Sequence, residues 1–291
     1  MDNKLSDLKN LKANLKGNRF HTKKSLGQNF LVNEAIAINI VEGADLNPED
    51  VVLEIGPGVG SLTRYIAPKV AKLIVVELDS KAIPILTKNT KEFTNIEIIN
   101  KDILKVDLNE YFKNNPSGIK VVANLPYYIT SPILMYLLKN EVDIESITVM
   151  VQKEVGERLL AEAGNKSYGI LTLAVGYYAT VEKIVDVPKE NFHPVPKVDS
   201  MVVKLTIKAR DKRLEKNEEV AFFQLIKAAF NTRRKNLVNS LAPLFSGDKN
   251  QVKSFLATVD IDGNRRGETL SIEEYFRLSK VRSSENGFNS I

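Results

Sequence analysis

The apolar positions of this chain follow one pattern up to about residue 208 and another beyond it. From about residue 45 to 207, short aliphatic runs alternate with longer amphipathic stretches. The runs are VVLEIG (51–56), LIVVEL (73–78), IEIIN (96–100), VVANLP (121–126) and SITVMVQ (146–152). Near-continuous Val, Ile and Leu suit strands covered on both faces, as in a parallel sheet. The stretches between them are long enough for crossover helices. Two further runs follow, ATVEKIVDVP (179–188) and SMVVKLTI (200–207). The second alternates Met201, Val203, Leu205 and Ile207 with Val202, Lys204 and Thr206, and the two are expected to pair antiparallel at a sheet edge.

ARDKRLEKNEE (209–219) is a charged linker without apolar periodicity. Beyond it VAFFQLIKAAF and RKNLVNSLAPLF read as amphipathic helices, and Ser271 with Glu274 forms a capping box ahead of IEEYFRLSKV. No strand pattern and no internal repeat follow residue 210, and the final SSENGFNSI is expected to fray. The expected organisation is an arm (1–22), a doubly wound α/β domain (23–208) and a small all-helical domain (209–291).

Charge adds one feature. The formal net charge is +5, and residues 1–25 carry it: Lys4, Lys9, Lys12, Lys16, Arg19, Lys23 and Lys24 stand against Asp2 and Asp7. Such an arm is either an electrostatic handle for a polyanion or a solvated tail, and charge alone leaves both open. The arm has no apolar core of a secretory signal, and no stretch is apolar enough to span a membrane. Cysteine is absent, which excludes disulfides, thiolate metal sites and cysteine nucleophiles and fits a reducing cytoplasm. The two histidines, His21 and His193, lack metal-ligand spacing, so no metal is expected.

VVLEIGPGVGSLT (51–63) carries the first chemical signal. A strand ends in Gly56-Pro57-Gly58-Val59-Gly60, at the edge where open α/β sheets bind ligands. A dinucleotide fingerprint sets its third glycine three residues after the second; here it falls after two, and Ser61 takes the fingerprint position. The spacing, preceded by Glu54, resembles the first motif of S-adenosylmethionine methyltransferases, a cofactor with no phosphate to cradle. Glu77, ending the next strand, is suited to accept from two ribose hydroxyls. Asp102, after the third strand, is suited to accept from an adenine amine, although an acid there is equally an ordinary N-cap. An NAD-dependent oxidoreductase is disfavoured by the glycine spacing and the lack of a catalytic acid–base pair.

Asn124-Leu125-Pro126-Tyr127 at the end of the fourth strand carries the second. An adenine N6 amine is a poor nucleophile because its lone pair is delocalised into the ring. The Asn124 side-chain oxygen and the Leu125 carbonyl can each accept one N6 hydrogen, favouring a pyramidal nitrogen and stabilising its developing charge. Pro126 stiffens the turn and Tyr127 offers a stacking face. In ENFHPVPKVDS (190–200), Phe192 precedes Pro194 and Pro196, and is either a second stacking ring opposite Tyr127 or an aromatic plug under the loop.

With these residues in place, the chain resembles the KsgA/RsmA family of ribosomal RNA adenine N6,N6-dimethyltransferases from about Lys23 to Leu278. The matching segments are KKSLGQNFL, EIGPGVGSLT, VELD, KDIL, NLPYYIT, FHPVPKVDS, AAFNTRRKNLVNSL and RRGETLSIEE. The resemblance implies a Rossmann-like, mostly parallel seven-stranded sheet and a helical RNA-binding domain, with S-adenosylmethionine as cofactor. It implies that Gln28, Asn29 and Leu31 line the methionine end, that Glu54, Gly56, Gly58, Gly60, Glu77, Asp102 and Asn124 complete the cofactor site, and that the reaction is dimethylation of two adjacent adenosines in the 3′-terminal loop of 16S rRNA. The implied substrate is the immature 30S subunit and the implied place the cytoplasm; nothing suggests more than a monomer. Arg233, Arg234, Lys235, Arg265 and Arg266 would contact phosphates, or simply line a solvated helix face. The nearest rival is the Erm type, which modifies a large-subunit adenosine and confers macrolide resistance; an assembly factor without chemistry is a second.

Overall fold

The structure, a computed structural model, describes residues 7–23, 26–112, 115 and 118–288. Its strands are β1 (Phe30–Leu31), β2 (Val51–Ile55), β3 (Lys72–Glu77), β4 (Ile96–Asn100), β5 (Ile119–Asn124), β6 (Ile144–Gln152), β7 (Ala179–Val187), β8 (Phe192–His193) and β9 (Ser200–Ile207). Its α-helices are α1 (Leu8–Gly17), α2 (Glu34–Gly43), α3 (Thr63–Ile66), α4 (Ile83–Asn89), α5 (Leu108–Phe112), α6 (Thr130–Leu138), α7 (Lys153–Leu159) and α8 (Ile170–Tyr178). After the sheet come α9 (Lys216–Asn231), α10 (Leu237–Leu241), α11 (Lys249–Ala257) and α12 (Ile272–Phe288).

Seven strands form one sheet in the order β4-β3-β2-β5-β6-β9-β7. β2, β3, β4, β5 and β6 run parallel, and β9 is antiparallel to β6. The aliphatic runs dictate this, because Val52, Leu53, Leu73, Ile74, Val75, Val121, Val122, Ile147 and Val149 are all buried, as strands covered on both faces require. β7 and β9 are neighbours, with β7 at the edge. The chain builds outward from β2 to β3 and β4, then reverses to β5 on the other side, which makes a switch point between β2 and β5. A separate two-stranded ribbon pairs β1 with β8, Phe30 opposite His193 and Leu31 opposite Phe192.

By contacts the chain divides into two units. One runs as far as Gly156 and resumes over Val181–Ile207; the other takes Glu157–Thr180 together with the chain from Lys208 on. The helical unit is therefore interrupted, whereas the sequence pattern suggested one contiguous segment after residue 208. Aromatic packing is the reason: Tyr177 of α8 lies 5.3 Å from Phe222, 5.7 Å from Phe223 and 6.0 Å from Phe276 between ring centroids. The capping box forms, with the Ser271 N–H donating to Glu274 Oε2 (2.8 Å) and the Glu274 N–H to Ser271 Oγ (3.3 Å). α12 then continues to Phe288, into the tail expected to fray.

The basic arm is the second departure from the sequence reading. Asp7 caps α1 by accepting from the N–H groups of Lys9 and Asn10. One face of α1, Leu11 and Leu15, joins Phe20, Phe30, Val59, Ala82 and Ile85 in a satellite core. The solvated-tail reading does not hold for Leu8–Gly17, because two leucines at i, i+4 provide an apolar stripe that the charge count concealed. Residues 1–6 lie outside the described part. Among the described residues, no helix is long and apolar enough to cross a membrane.

If α1 belongs to the cooperative fold, Leu11→Ala, at a fully buried position, should lower unfolding free energy by about 2–4 kcal/mol in urea titration. A change within about 0.5 kcal/mol would mean that α1 contributes nothing to global stability.

Candidate cofactor and catalytic site

The parallel register fixes the site before any side chain is considered. Ile55 lies opposite Val76 and Ala123, Glu77 opposite Asn100, and Asn124 opposite Met150, so the carboxyl ends of these strands emerge at one edge. A cleft open to solvent lies outside that edge at the switch point. Gln28, Asn29, Leu31, Glu54, Gly56, Gly58, Glu77, Asp102, Asn124, Leu125, Pro126 and Tyr127 all line it. Segments eighty or more residues apart in sequence are thus brought together around one cavity.

The three glycines of the first loop do different work. All have positive φ (69°, 59° and 95° for Gly56, Gly58 and Gly60), which permits the tight turn. A Cβ on Gly56 would meet only the Asn124 carbonyl, at 3.7 Å, so the backbone there is open to a ligand. A Cβ on Gly58 would sit 2.6 Å from the Phe30 ring, and one on Gly60 would press on Leu86 of α4. Gly60 does not line the cleft; it lets the loop pack on α4.

Two of the three carboxylates, Glu77 and Asp102, are held by backbone donors. Glu77 Oε2 accepts from the Gly58 N–H (2.9 Å) and Oε1 from the Asp79 N–H (2.7 Å), which ties β3 to the glycine loop. Burial raises the Glu77 carboxyl above its ordinary value, against the pull of these hydrogen bonds. Burial also pushes Glu54 up, from 4.5 to about 8, with the charge of Glu77 adding repulsion. Glu54 Oε2 is buried without a hydrogen-bond partner among the described residues. Asp102 caps the turn Ile103–Lys105 by accepting from the Leu104 N–H, and it also lines the cleft.

The segment 26–31, which lines one side of the cleft, is latched by a residue the sequence reading passed over. Asp79 is buried and accepts from Lys23 Nζ (2.8 Å) and Gln28 Nε2 (2.9 Å), while Gln28 Oε1 accepts from the Lys23 N–H (2.8 Å). Burial pushes the Asp79 carboxyl up, but Lys23, Gln28 and the Lys81 N–H outweigh it and leave it below its ordinary value. The Gln28 amide is thus engaged with protein at both ends. The signal available in the sequence was the acid two residues beyond Glu77.

At the end of β5, Asn124 Nδ2 donates to the Asn29 carbonyl (3.1 Å), which orients Oδ1 as the remaining acceptor. Among the described residues no donor reaches the Leu125 carbonyl. Tyr127 is half-buried, its hydroxyl 2.7 Å from Ser200 Oγ, and burial raises its pKa above the ordinary phenolic value. Phe192 does not reach the cleft: it is 1% exposed and packs in the main core with Leu31. In this structure it is the plug and not a ring facing Tyr127. Strand pairing with β1 is the reason, since it turns Phe192 inward. The aromatic residue left free at the rim is Tyr128, 59% exposed, which no sequence pattern singled out.

The five basic candidates of the helical unit separate into two kinds. Arg265 grips Glu274 through two guanidinium nitrogens and donates to the Thr269 carbonyl, and Arg233 pairs with Glu268. Arg234, Lys235 and Arg266 are exposed. Among the described residues, no group of three or more His, Cys, Asp or Glu is arranged to hold a metal ion.

Comparison with known proteins agrees with this fold. A protein designated ribosomal RNA small subunit methyltransferase A from Alkaliphilus metalliredigens is 45% identical over 272 residues, covering 92% of this chain and 94% of its own. The crystal structure of a dimethyladenosine transferase from Plasmodium falciparum superposes with a TM-score of 0.76 at 26% identity, covering 89% of this chain and 98% of that one. The 23S rRNA methyltransferase ErmE superposes with a TM-score of 0.70 at 27% identity, covering 87% and 99%. The profile of the ribosomal RNA adenine dimethylases matches residues 19–282, and the chain belongs to that family.

Proposed function

We propose that this protein transfers methyl groups from S-adenosylmethionine to adenine N6 in small-subunit ribosomal RNA, forming dimethyladenosine at two adjacent positions of the 3′-terminal loop of 16S rRNA. The carrying observation is the convergence of Glu54, Glu77, Asp102 and Asn124 on one open cleft around Gly56, in a chain of the rRNA adenine dimethylase family. The high identity to a protein named for the small subunit favours that RNA over the large subunit. On this reading the substrate is the immature 30S subunit in the cytoplasm, and the protein acts as a monomer.

The residues fit the cofactor. Gly56 leaves its backbone open, and the unpartnered, buried Glu54 oxygen suits a hydrogen-bond donor of the ligand, since a buried polar atom needs a partner. Glu77 suits the ribose hydroxyls, Asp102 the adenine amine, and Gln28, Asn29 and Leu31 the methionine end. When bound, the cofactor supplies a methyl group on a positively charged sulfur.

The chain's own contribution is positioning. Asn124 Oδ1 and the Leu125 carbonyl accept the two N6 hydrogens, which draws the lone pair out of conjugation and stabilises charge on the nitrogen. The Asn29 carbonyl, by holding the Asn124 amide, keeps that acceptor aimed. Tyr127 and Tyr128 supply aromatic faces for the extruded base, with Phe192 bracing the loop from below. No strong base is required, because the cationic product amine loses its proton to water.

Methyl transfer from labelled cofactor to unmodified small and large subunits, with product nucleosides identified, tests the whole reading. Dimethyladenosine on the small subunit alone is expected; label on the large subunit would favour the resistance-type rival. Asn124→Ala should lower kcat/KM by about 10²- to 10³-fold while cofactor affinity changes little; equal loss of both would remove Asn124 from catalysis. Glu54 gives a pH test. Its folded value of about 8 lies above its ordinary 4.5, so between those values the folded state holds a proton that the unfolded state has lost. Stability of the unliganded protein should therefore fall as pH rises from about 5 to 8, by a few kcal/mol at about 1.4 kcal/mol per pKa unit. In urea titrations at several pH values, Glu54→Gln should flatten that slope; an unchanged slope would assign it to other groups.

A further inference from the structure

We infer that α1 carries a binding surface for the phosphate backbone of the substrate RNA, formed by Lys9, Lys12 and Lys16 and continued by Arg19. The inference rests on the proposed RNA substrate and gives it a contact outside the helical unit.

The spacing i, i+3, i+7 brings the three lysines within an arc of about 60° on a helix turning 100° per residue. Leu11 and Leu15 face elsewhere and are buried, while Lys9, Lys12, Lys16 and Arg19 are all exposed. Among the described residues none of the four forms a salt bridge. Asp7, at the start of the helix, accepts through Oδ1 from the two N–H groups it caps and, among the described residues, is not salt-bridged to the lysines. The stripe therefore holds its charge with mobile counter-ions, the condition under which phosphate binding gains from their release.

The stripe is also fixed to the wall of the cleft. Leu11 and Leu15 pack in one cluster with Phe30, which lines the cleft, and with Val59 of the glycine loop. Asn14 Nδ2 donates to Asn89 Oδ1 (2.9 Å), and Asn89 Nδ2 donates to the Val59 carbonyl (2.9 Å). Phe30 pairs with His193 of the Phe-His-Pro loop. His193 is held below its ordinary value by burial and, in second place, by the positive charge of Lys12. A strand gripped by this stripe is thus gripped beside the wall of the cleft. A lipid surface fits less well, because the apolar face that an interfacial helix would insert is already buried in the protein.

The test compares the full chain with Lys9→Gln/Lys12→Gln/Lys16→Gln and with the charge-retaining Lys9→Arg/Lys12→Arg/Lys16→Arg. Gln and Arg both match Lys in helix propensity, so α1 should persist. Binding to unmodified small subunits, followed from about 50 to 300 mM potassium chloride, should lose about 2 to 3 from the slope of log affinity against log salt in the glutamine variant, weaken about tenfold or more near 0.15 M, and return in the arginine variant. Cofactor affinity and kcat at saturating subunit should stay unchanged. Wild-type slope and affinity in the glutamine variant would overturn the inference while the proposed function stands. Equal losses in both triple variants would also overturn it, by tracing the effect to packing. So would lysine-dependent binding to phosphatidylserine vesicles without any effect on subunit binding. A wild-type protein that neither binds nor methylates the subunit would overturn the proposed function and this contact together.

Discussion

The in-register parallel pairing of β2 between β3 and β5 is the constraint from which the site follows. It makes three loops leave the sheet at one level, so that Gly56, Glu77 and Asn124 become neighbours without any contact between them in sequence. The hydrogen bond from the Gly58 N–H to Glu77 then closes the first loop onto the second. A slip of one residue in either ladder would reverse the facing of every side chain in the strand and dissolve the arrangement. Burial of aliphatic side chains on both sheet faces protects against this slip, so the hydrophobic pattern that forms the sheet also sets the geometry of the site.

A second layer of order comes from outside the sheet. The short β1–β8 ribbon joins the segment 26–31, which lines the cleft, to the Phe-His-Pro loop, and Asp79 ties the same segment to the end of β3. Elements that read as separate motifs are therefore mechanically one. Asn29 belongs to this segment and orients Asn124, so the wall of the cleft and the aim of the Asn124 amide share a connection.

Much of this was legible in the chain because its signals are local. Aliphatic runs, the glycine spacing and acids at strand ends each declare themselves within a few residues, and the cleft gathers nearly all the residues they marked. The signals that failed depend on distant partners. Phe192 reads equally as a stacking ring or a plug until its pairing with Leu31 is known. Arg265 looks like a free cation until Glu274 is seen to hold it. The α1 helix was masked by its lysines, since two leucines weigh little in a charge count. The interrupted helical unit depends on aromatic residues more than forty positions apart, and no local period reports such a contact.

The interruption of the helical unit bears on how the chain is made. Synthesis runs from the amino end, so α8 emerges well before α9 and α12, whose rings its Tyr177 and Tyr178 contact. Until Phe222, Phe223 and Phe276 follow, that aromatic face has no cover, while β9, which completes the sheet between β6 and β7, is still being added. The nascent protein therefore passes through an interval in which a nearly finished sheet carries an exposed apolar helix, the kind of surface on which chaperones act.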